Sequence, residues 1–491
     1  MKNEILRMER VIFVDKGVTK LEDFNLQVYE GEILGLIPIN SHGLDELFSL
    51  FQTNMPLYDG YVYYGGEMVN SWRGSIRSQN RICVIRARSC LVEGMTVAEN
   101  IFVLRQGFRQ EIIPSEMLRK QLEPFIEETG IEIQADTYVE KLSTFERVVV
   151  EILRAVVMGQ RLIILEEISA QISETNLKKL YEIIRYYASQ GFSFIYINLH
   201  FGELQQICDR VVLFSNGRIQ KVISKSEMDK GGLDKYTEQY RHMVMHHWEE
   251  KSGEKKKTNE IFKLENIIYG EMDTPLNVTI CQGECVVLQC LDSGSYHYTK
   301  SLLMEEIPII KGAVWVDKTK GKALYKDVAV VQEDPTNNML FPELSYFDNL
   351  CIGIANRVPC VCYSRKIKSS IKQEYKEYIK EELYLKQIDE LTEKEKYQLV
   401  YMRILLQKPK VVFCLQPFKG ADLVHRMYIW EQLEILLRHG IAVVIISVNL
   451  ADSLAIAQRL FRISVKGAEE IAKDEFHNIS SAIWTDIESV R

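Results

Sequence analysis

The sequence predicts two tandem α/β domains, each a mainly parallel sheet covered by helices, and three observations carry that prediction. The two halves of the 491-residue chain bear the same marks at a nearly constant offset. Short runs of Val, Ile and Leu, such as RLIIL at 161–165, SFIYI at 193–197, KVVFC at 410–414 and AVVII at 442–446, alternate with helical stretches such as ISETNLKKLYEIIRYYASQG. Unbroken apolar strands between helices imply a parallel sheet buried on both faces. The polar, charged run HHWEEKSGEKKKTNE at 246–260 has no apolar period and reads as a solvated linker. The expected organisation is a first domain at 1–245, the linker at 246–260, a second domain at 261–480 and a C-terminal tail at 481–491.

The repeat is explicit. Gly31 and Glu32 recur as Gly283 and Glu284, an offset of 252. KLSTFERVVVEILRAVVMGQRLIILEE at 141–167 returns as ELTEKEKYQLVYMRILLQKPKVVFCLQ at 390–416, an offset of 249, and Arg210 returns as Arg459 at the same 249.

Apolar content of 46% and charged content of 26% describe an ordinary globular chain, while a net charge of −8 excludes a nucleic-acid partner held on a broad basic face. The first residues, MKNEILRMERVIF, lack the apolar run of a signal peptide, and IAVVIIS at 441–447 is strand-sized, so a cytoplasmic location is expected. The ten cysteines lack paired C-x-x-C spacing; Cys281, Cys285 and Cys290 read as small buried apolar residues rather than metal ligands.

At residues 32–51, EILGLIPINSHGLDELFSLF runs from an apolar strand through a tight turn into a helix with apolar Leu44, Leu47, Phe48 and Phe51. That is the frame of a phosphate-binding loop, in which helix N-terminal amides and a lysine surround the phosphates and a Ser or Thr hydroxyl holds Mg²⁺. Where G-x-x-x-x-G-K-[ST] needs Lys and Ser, this loop has Leu44 and Asp45.

Several further pieces follow in order: MTVAENIF at 95–102, LS at 142–143, LIILEE at 162–167, CDRVVLFSNGRI at 208–219 and VVQEDPTNNMLFPELSYFDNL at 330–350. With them the chain resembles, over nearly its whole length, the tandem-cassette ATP-binding subunits of bacterial ABC importers for simple sugars, the ribose and galactose type. The resemblance implies two ABC-type, P-loop NTPase-like domains, with ATP and Mg as cofactors bound between the cassettes. It implies membrane permease subunits as partners and a cytoplasmic, peripheral location on the inner face of the cell membrane. No sugar is expected to bind directly, and the resemblance allows a homodimer.

Set against that family position by position, Pro38 and Ser41 replace loop glycines, His42 precedes the one retained Gly43, Leu44 replaces Lys, and Asp45 and Glu46 replace the Ser-Thr pair. Each carboxylate about 5 Å from a phosphate charge would cost about 3 kcal/mol at an effective dielectric near 20. The same acids complement an empty helix N-terminus by about 0.3–1 kcal/mol each, so the loop reads as the start of a structural helix rather than a nucleotide site. Glu166 occupies the Mg²⁺-linked position and is the candidate metal residue; Glu167 occupies the general-base position. Ala87 replaces the glutamine that contacts metal and nucleophile. Leu199 replaces the switch histidine, with His200 beside it on a strand and therefore facing the other way.

The signature loop keeps Ser143 but reads LSTFE, with the Phe145 ring expected where no side chain fits and Glu146 adding negative charge. In the second half the loops are CLDSGSYH at 290–297 and LTEKE at 391–395, and the strand-end acids have become Leu415 and Gln416. Glu333, Asp334 and Asp422 fit the family pattern, and Lys300, one helical turn past the family's cation, is expected at the solvent. The expected function is that of the cassette subunit of a carbohydrate import system, coupled to permease subunits, with weak or absent ATP hydrolysis. The alternative is a non-catalytic pseudo-ATPase that scaffolds or regulates a permease or sensor. The surface beside residues 86–102 and 332–350, with Met95 and Leu340, is expected to dock the permease.

Overall fold

Strands form where β-branched and aromatic residues run unbroken, and helices where a Ser, Thr or Asp cap precedes an apolar stripe. The computed structural model describes residues 3–70, 81–86, 89–102, 114–228, 259–270, 273–291, 293–304, 306–316, 319–320, 327–356, 365–450, 453–454, 456–464, 466–472 and 476. The chain divides into two units at the 241/242 boundary. Residues 246–258 of the expected linker and the tail at 481–491 lie outside the described residues.

In the first unit six strands make one sheet in the order Arg218–Ser224, Arg210–Ser215, Ile33–Pro38, Ser193–Ile197, Leu162–Glu166 and Ile82–Arg86. Five of them are parallel, and Arg218–Ser224 pairs antiparallel at one edge. A second, antiparallel sheet has the order Val18–Tyr29, Glu4–Asp15, Asp59–Tyr64 and Glu67–Met68. One core joins the two sheets: Leu6, Val11 and Phe24 of the antiparallel sheet cluster with Leu34, Ile164 and Phe214 of the parallel one, and the Phe24 and Phe214 rings meet edge-on at 5.9 Å. Helix Leu44–Gln52 adds Leu47, Phe48, Leu50 and Phe51 to that core.

The second unit repeats the plan. Its six-stranded sheet runs Gly467–Ile471, Arg459–Ser464, Cys285–Cys290, Ala442–Ser447, Val411–Leu415 and Val328–Val331, again with one antiparallel edge strand. The accompanying antiparallel sheet runs Leu276–Cys281, Glu260–Ile268, Lys311–Val316 and Thr319–Lys320. Every residue of Val411–Leu415 and Ala442–Ser447 is buried, as strands covered on both faces require. Cys281, Cys285 and Cys290 are buried.

The repeat extends to single side chains. Asn100 accepts from the Val92 amide at 2.8 Å and donates to the Val92 and Thr96 carbonyls, each at 3.1 Å. Asn349, 249 residues later, accepts from the Phe341 amide at 2.9 Å and donates to the Phe341, Leu344 and Ser345 carbonyls. Each asparagine closes the loop ahead of its helix. Beside these closures Met95 is 36% and Phe341 49% exposed, whereas Leu340, expected at the docking surface, is 7% exposed and belongs to the core. Among the described residues no helix is long and apolar enough to cross a membrane.

Candidate functional site

The strand Ile33–Pro38 is buried along its length and delivers the chain to a loop tied down on both sides. The Ile39 amide donates to the Phe214 carbonyl at 2.8 Å, and the Asn40 side chain bonds Ser215 Oγ and Asn216. His42 Nε2 lies 3.0 Å from the Thr19 carbonyl, so that nitrogen carries the proton. Gly43 has φ 82, and a Cβ there would sit 2.1 Å from the Lys20 carbonyl oxygen; glycine is required by backbone contact as well as by conformation. Ser41 is exposed, and its carbonyl accepts from the Leu44 amide at 3.1 Å, which takes one amide of the loop away from any ligand.

Leu44 packs half-buried against the core. Asp45 is exposed in the first helical turn, while Glu46 pairs with Lys20 Nζ at 3.0 Å. Glu46 therefore does more than complement the helix dipole: it anchors the helix start to the antiparallel sheet.

Glu166 ends its strand beside Arg86, its register partner, and the two side chains meet at 2.9 Å between Oε2 and Nε. The Arg86 guanidinium also stands 4.8 Å from the Phe48 ring centre. Burial pushes the Glu166 carboxyl up to about 7; Arg86 opposes the rise, and the neighbouring charges of Glu167 and Asp45 add to it. Glu167 adopts φ 45 and donates its amide to the Ile197 carbonyl at 3.0 Å. Ala87 lies outside the described residues. Among the described residues no group of three or more His, Cys, Asp or Glu is arranged to hold a metal ion.

One expectation about a neighbouring residue is corrected. The strand before Leu199 ends at Ile197, so His200 is not on a strand; it caps helix Phe201–Ile207, and its amide donates to Asn198 Oδ1 at 2.9 Å. Leu199 is buried. Asn198 in turn donates to Ser169 Oγ and to Glu203 Oε2, which also accepts from Tyr181 and Tyr196, a buried polar cluster that no sequence motif announces.

In the signature loop, Phe145 is 6% exposed and turns into the core instead of blocking a nucleotide face. Ser143 caps helix Thr144–Val157: its hydroxyl donates to Glu146 Oε2 at 2.7 Å and accepts from the Glu146 amide at 3.3 Å. Thr392 and Glu395 form the same capping box in the second unit. Glu146 thus closes a helix end.

The second unit's site is filled by its own side chains. Glu333 accepts from the Tyr296 hydroxyl at 2.7 Å, from Lys300 Nζ at 3.2 Å and from Lys419 Nζ at 2.7 Å. Burial alone would raise its pKa; Lys419, Tyr296 and Lys300 together hold it down at about 2. Burial and the Glu333 carboxylate push the Tyr296 phenol up, and Gln416 hydrogen-bonds the same phenol. Lys300, expected at the solvent, keeps its side chain 43% exposed and also reaches Glu333 in this cluster. Gln416, with φ 42, is buried and mirrors Glu167 by donating its amide to the Ile446 carbonyl at 2.9 Å. Tyr296 and Lys419 were not singled out in the sequence, although Tyr296 falls at the loop's cation position and Lys419 three residues after Gln416. Asp334 and Asp422 each cap a helix.

Residues 21–170 match the ABC transporter family. The ribose import ATP-binding protein RbsA of Caldanaerobacter subterraneus subsp. tengcongensis is 24% identical over 469 residues, covering 93% of each chain. The xylose import ATP-binding protein XylG of Geobacillus kaustophilus is 24% identical over 94% of this chain and 95% of its own. Among solved structures, cbiO1 from Clostridium perfringens, part of the ABC transporter complex cbiONQ, is 18% identical with a TM-score of 0.41, covering 50% of this chain and 100% of that one. The family match falls in the first unit, the second unit repeats its plan of sheets, and the resemblance to the ATP-binding subunits of sugar importers runs nearly end to end.

Proposed function

We propose, on the premise of two tandem ABC-type domains, that the chain is the cassette subunit of a carbohydrate import system, coupled to membrane permease subunits, in which ATP hydrolysis is weak or absent. The observation that carries the second half of this reading is the Glu166–Arg86 pair at 2.9 Å. A cation already occupies the carboxylate that would face Mg²⁺. Leu44 supplies no charge for the phosphates, the Leu44 amide is bonded to Ser41, and Asp45 adds repulsion. These residues do not fit Mg-ATP in the manner of a phosphate loop.

Import coupling rests on the end-to-end similarity to ribose and xylose import ATP-binding proteins and on the exposed Met95 and Phe341 beside their asparagine closures. Association with the membrane then comes through the permease. A second reading, a non-catalytic scaffold or regulator of a permease or sensor, is favoured by the Glu333 cluster, which occupies the second site with Tyr296, Lys300 and Lys419.

The deciding experiment is phosphate release from Mg-ATP by the purified chain beside its Glu167→Gln variant. Equal rates are expected. A clear rate that disappears with Glu167→Gln would overturn the loss of hydrolysis while leaving import coupling in place.

A further inference from the structure

We infer that the second unit contains a pocket for a single-tailed fatty carboxylate, with the Arg403 guanidinium as its counter-charge. A pocket of about 1020 Å³, partly open to solvent, lies in this unit, walled by the antiparallel sheet, the end of helix Ser293–Leu303 and helix Glu393–Gln407. Small-molecule sites are clefts of roughly 300–1,000 Å³, and this pocket is of that order. The walls are largely apolar, with Leu302, Leu303, Ile307, Val314, Val330 and Phe413 among them. Such walls suit a hydrocarbon tail.

Arg403 is on the wall and 6% exposed. Its Nη2 donates to the Met339 carbonyl at 2.8 Å, and among the described residues no carboxylate pairs with it. The repeat makes this unusual. Arg154, 249 residues earlier, donates to the Cys90 carbonyl, the counterpart of Met339, and stands near the buried Glu151 carboxylate. The position equivalent to Glu151 is Val400. The second unit has kept the arginine and lost the acid, and a buried guanidinium without an acid is costly. Burial pushes the Arg403 pKa down, with no neighbouring charge opposing it.

Glu306 also lines the cavity, on the segment after helix Ser293–Leu303, where it accepts from Ser301 Oγ at 2.8 Å. An anionic head is repelled from that side and drawn to Arg403. A ligand carboxylate there would take the place that Glu151 has in the first unit, and its tail would fill the apolar volume.

The test is calorimetric titration of the full chain with laurate, dodecanol and dodecylammonium, each below its micelle concentration. Laurate is expected to bind at least about tenfold tighter than dodecanol, since a charge-assisted bond is gained, and dodecylammonium more weakly than either. Shortening laurate to octanoate should weaken binding by up to about fourfold per methylene. Arg403→Gln should erase the preference for laurate over dodecanol, and Val330→Phe, which fills the cavity, should weaken both. Laurate binding no tighter than dodecanol in the wild type overturns the inference, as does undiminished laurate binding by Arg403→Gln. The wild-type comparison decides the matter even if Arg403→Gln fails to fold, and it is independent of any outcome with ATP.

Discussion

Replacing Glu166 by Gln keeps the shape of the side chain and removes its charge, and the two effects of that change separate with pH. Burial raises the Glu166 carboxyl from 4.5 to about 7 in the folded chain despite Arg86 at 2.9 Å. A carboxyl raised on folding stabilises the fold in its protonated form: the contribution is complete below about 4.5 and is lost as pH rises through about 7. The rise corresponds to about 3 kcal/mol at 1.36 kcal/mol per unit. The side chain retains 24% of its exposure, and solvent screening brings the expected loss to about 1–3 kcal/mol. Gln suffers no such loss. Glu166→Gln should therefore match the wild type near pH 4.5 and exceed it at pH 8.5, where a unit of this size gains roughly 2–4 °C in melting temperature per kcal/mol. Melting curves of both proteins from pH 4.5 to 8.5 at constant ionic strength measure the difference directly, because all other titrating groups cancel. A variant less stable than the wild type at pH 8.5 would mean that the Arg86 pair outweighs burial and that Glu166 is ionised throughout.

The loop makes a second prediction: 1 mM Mg-ATP should not shift the wild-type melting temperature, while the triple change Leu44→Lys, Asp45→Ser, Glu46→Thr, if it brings Kd to about 10 μM, should add about 2.7 kcal/mol; a wild-type shift of several degrees would refute this. Gly43→Ala places a Cβ 2.1 Å from the Lys20 carbonyl in a left-handed conformation and should cost about 2 kcal/mol or more in urea unfolding of the first unit. Glu333→Gln leaves Lys300 and Lys419 facing each other and should cost about 2–3 kcal/mol at pH 7; since the Glu333 pKa is lowered to about 2, that contribution is present above about 4.5 and fades as pH falls through about 2, so wild type and variant should converge in acid unfolding. Met95→Asp with Phe341→Asp should abolish co-purification of a permease while leaving the fold intact, as the exposure of both residues requires; full permease recovery with that pair would refute the docking surface.

Much of the fold could be read from the residues because it depends on local pattern. Unbroken apolar runs such as AVVII mark strands covered on both faces. The departures from the phosphate-loop pattern are equally visible, since Leu44 and Asp45 are read directly. What remained hidden involves residues distant in sequence. Arg86 meets Glu166 only because their strands are neighbours in the sheet, and Glu333 gathers Tyr296 and Lys419 from 37 and 86 residues away. Side-chain direction was the other blind spot. Phe145 follows a capping serine by two residues, and the helix that starts there turns its ring inward. Leu340 and Phe341 are adjacent, so one goes to the core and the other to the surface; hydrophobicity alone does not tell which.

Asn100 and Asn349 have a consequence for how a partner would be met. Each satisfies backbone groups at both ends of its loop, using one amide side chain as a clasp. A loop ordered in advance surrenders little conformational freedom on association, so a modest apolar contact at Met95 or Phe341 can suffice for recognition. The clasp atoms are distinct from every residue at the phosphate positions. Substitutions at those positions can therefore accumulate without loosening either loop, and selection can act on the two separately.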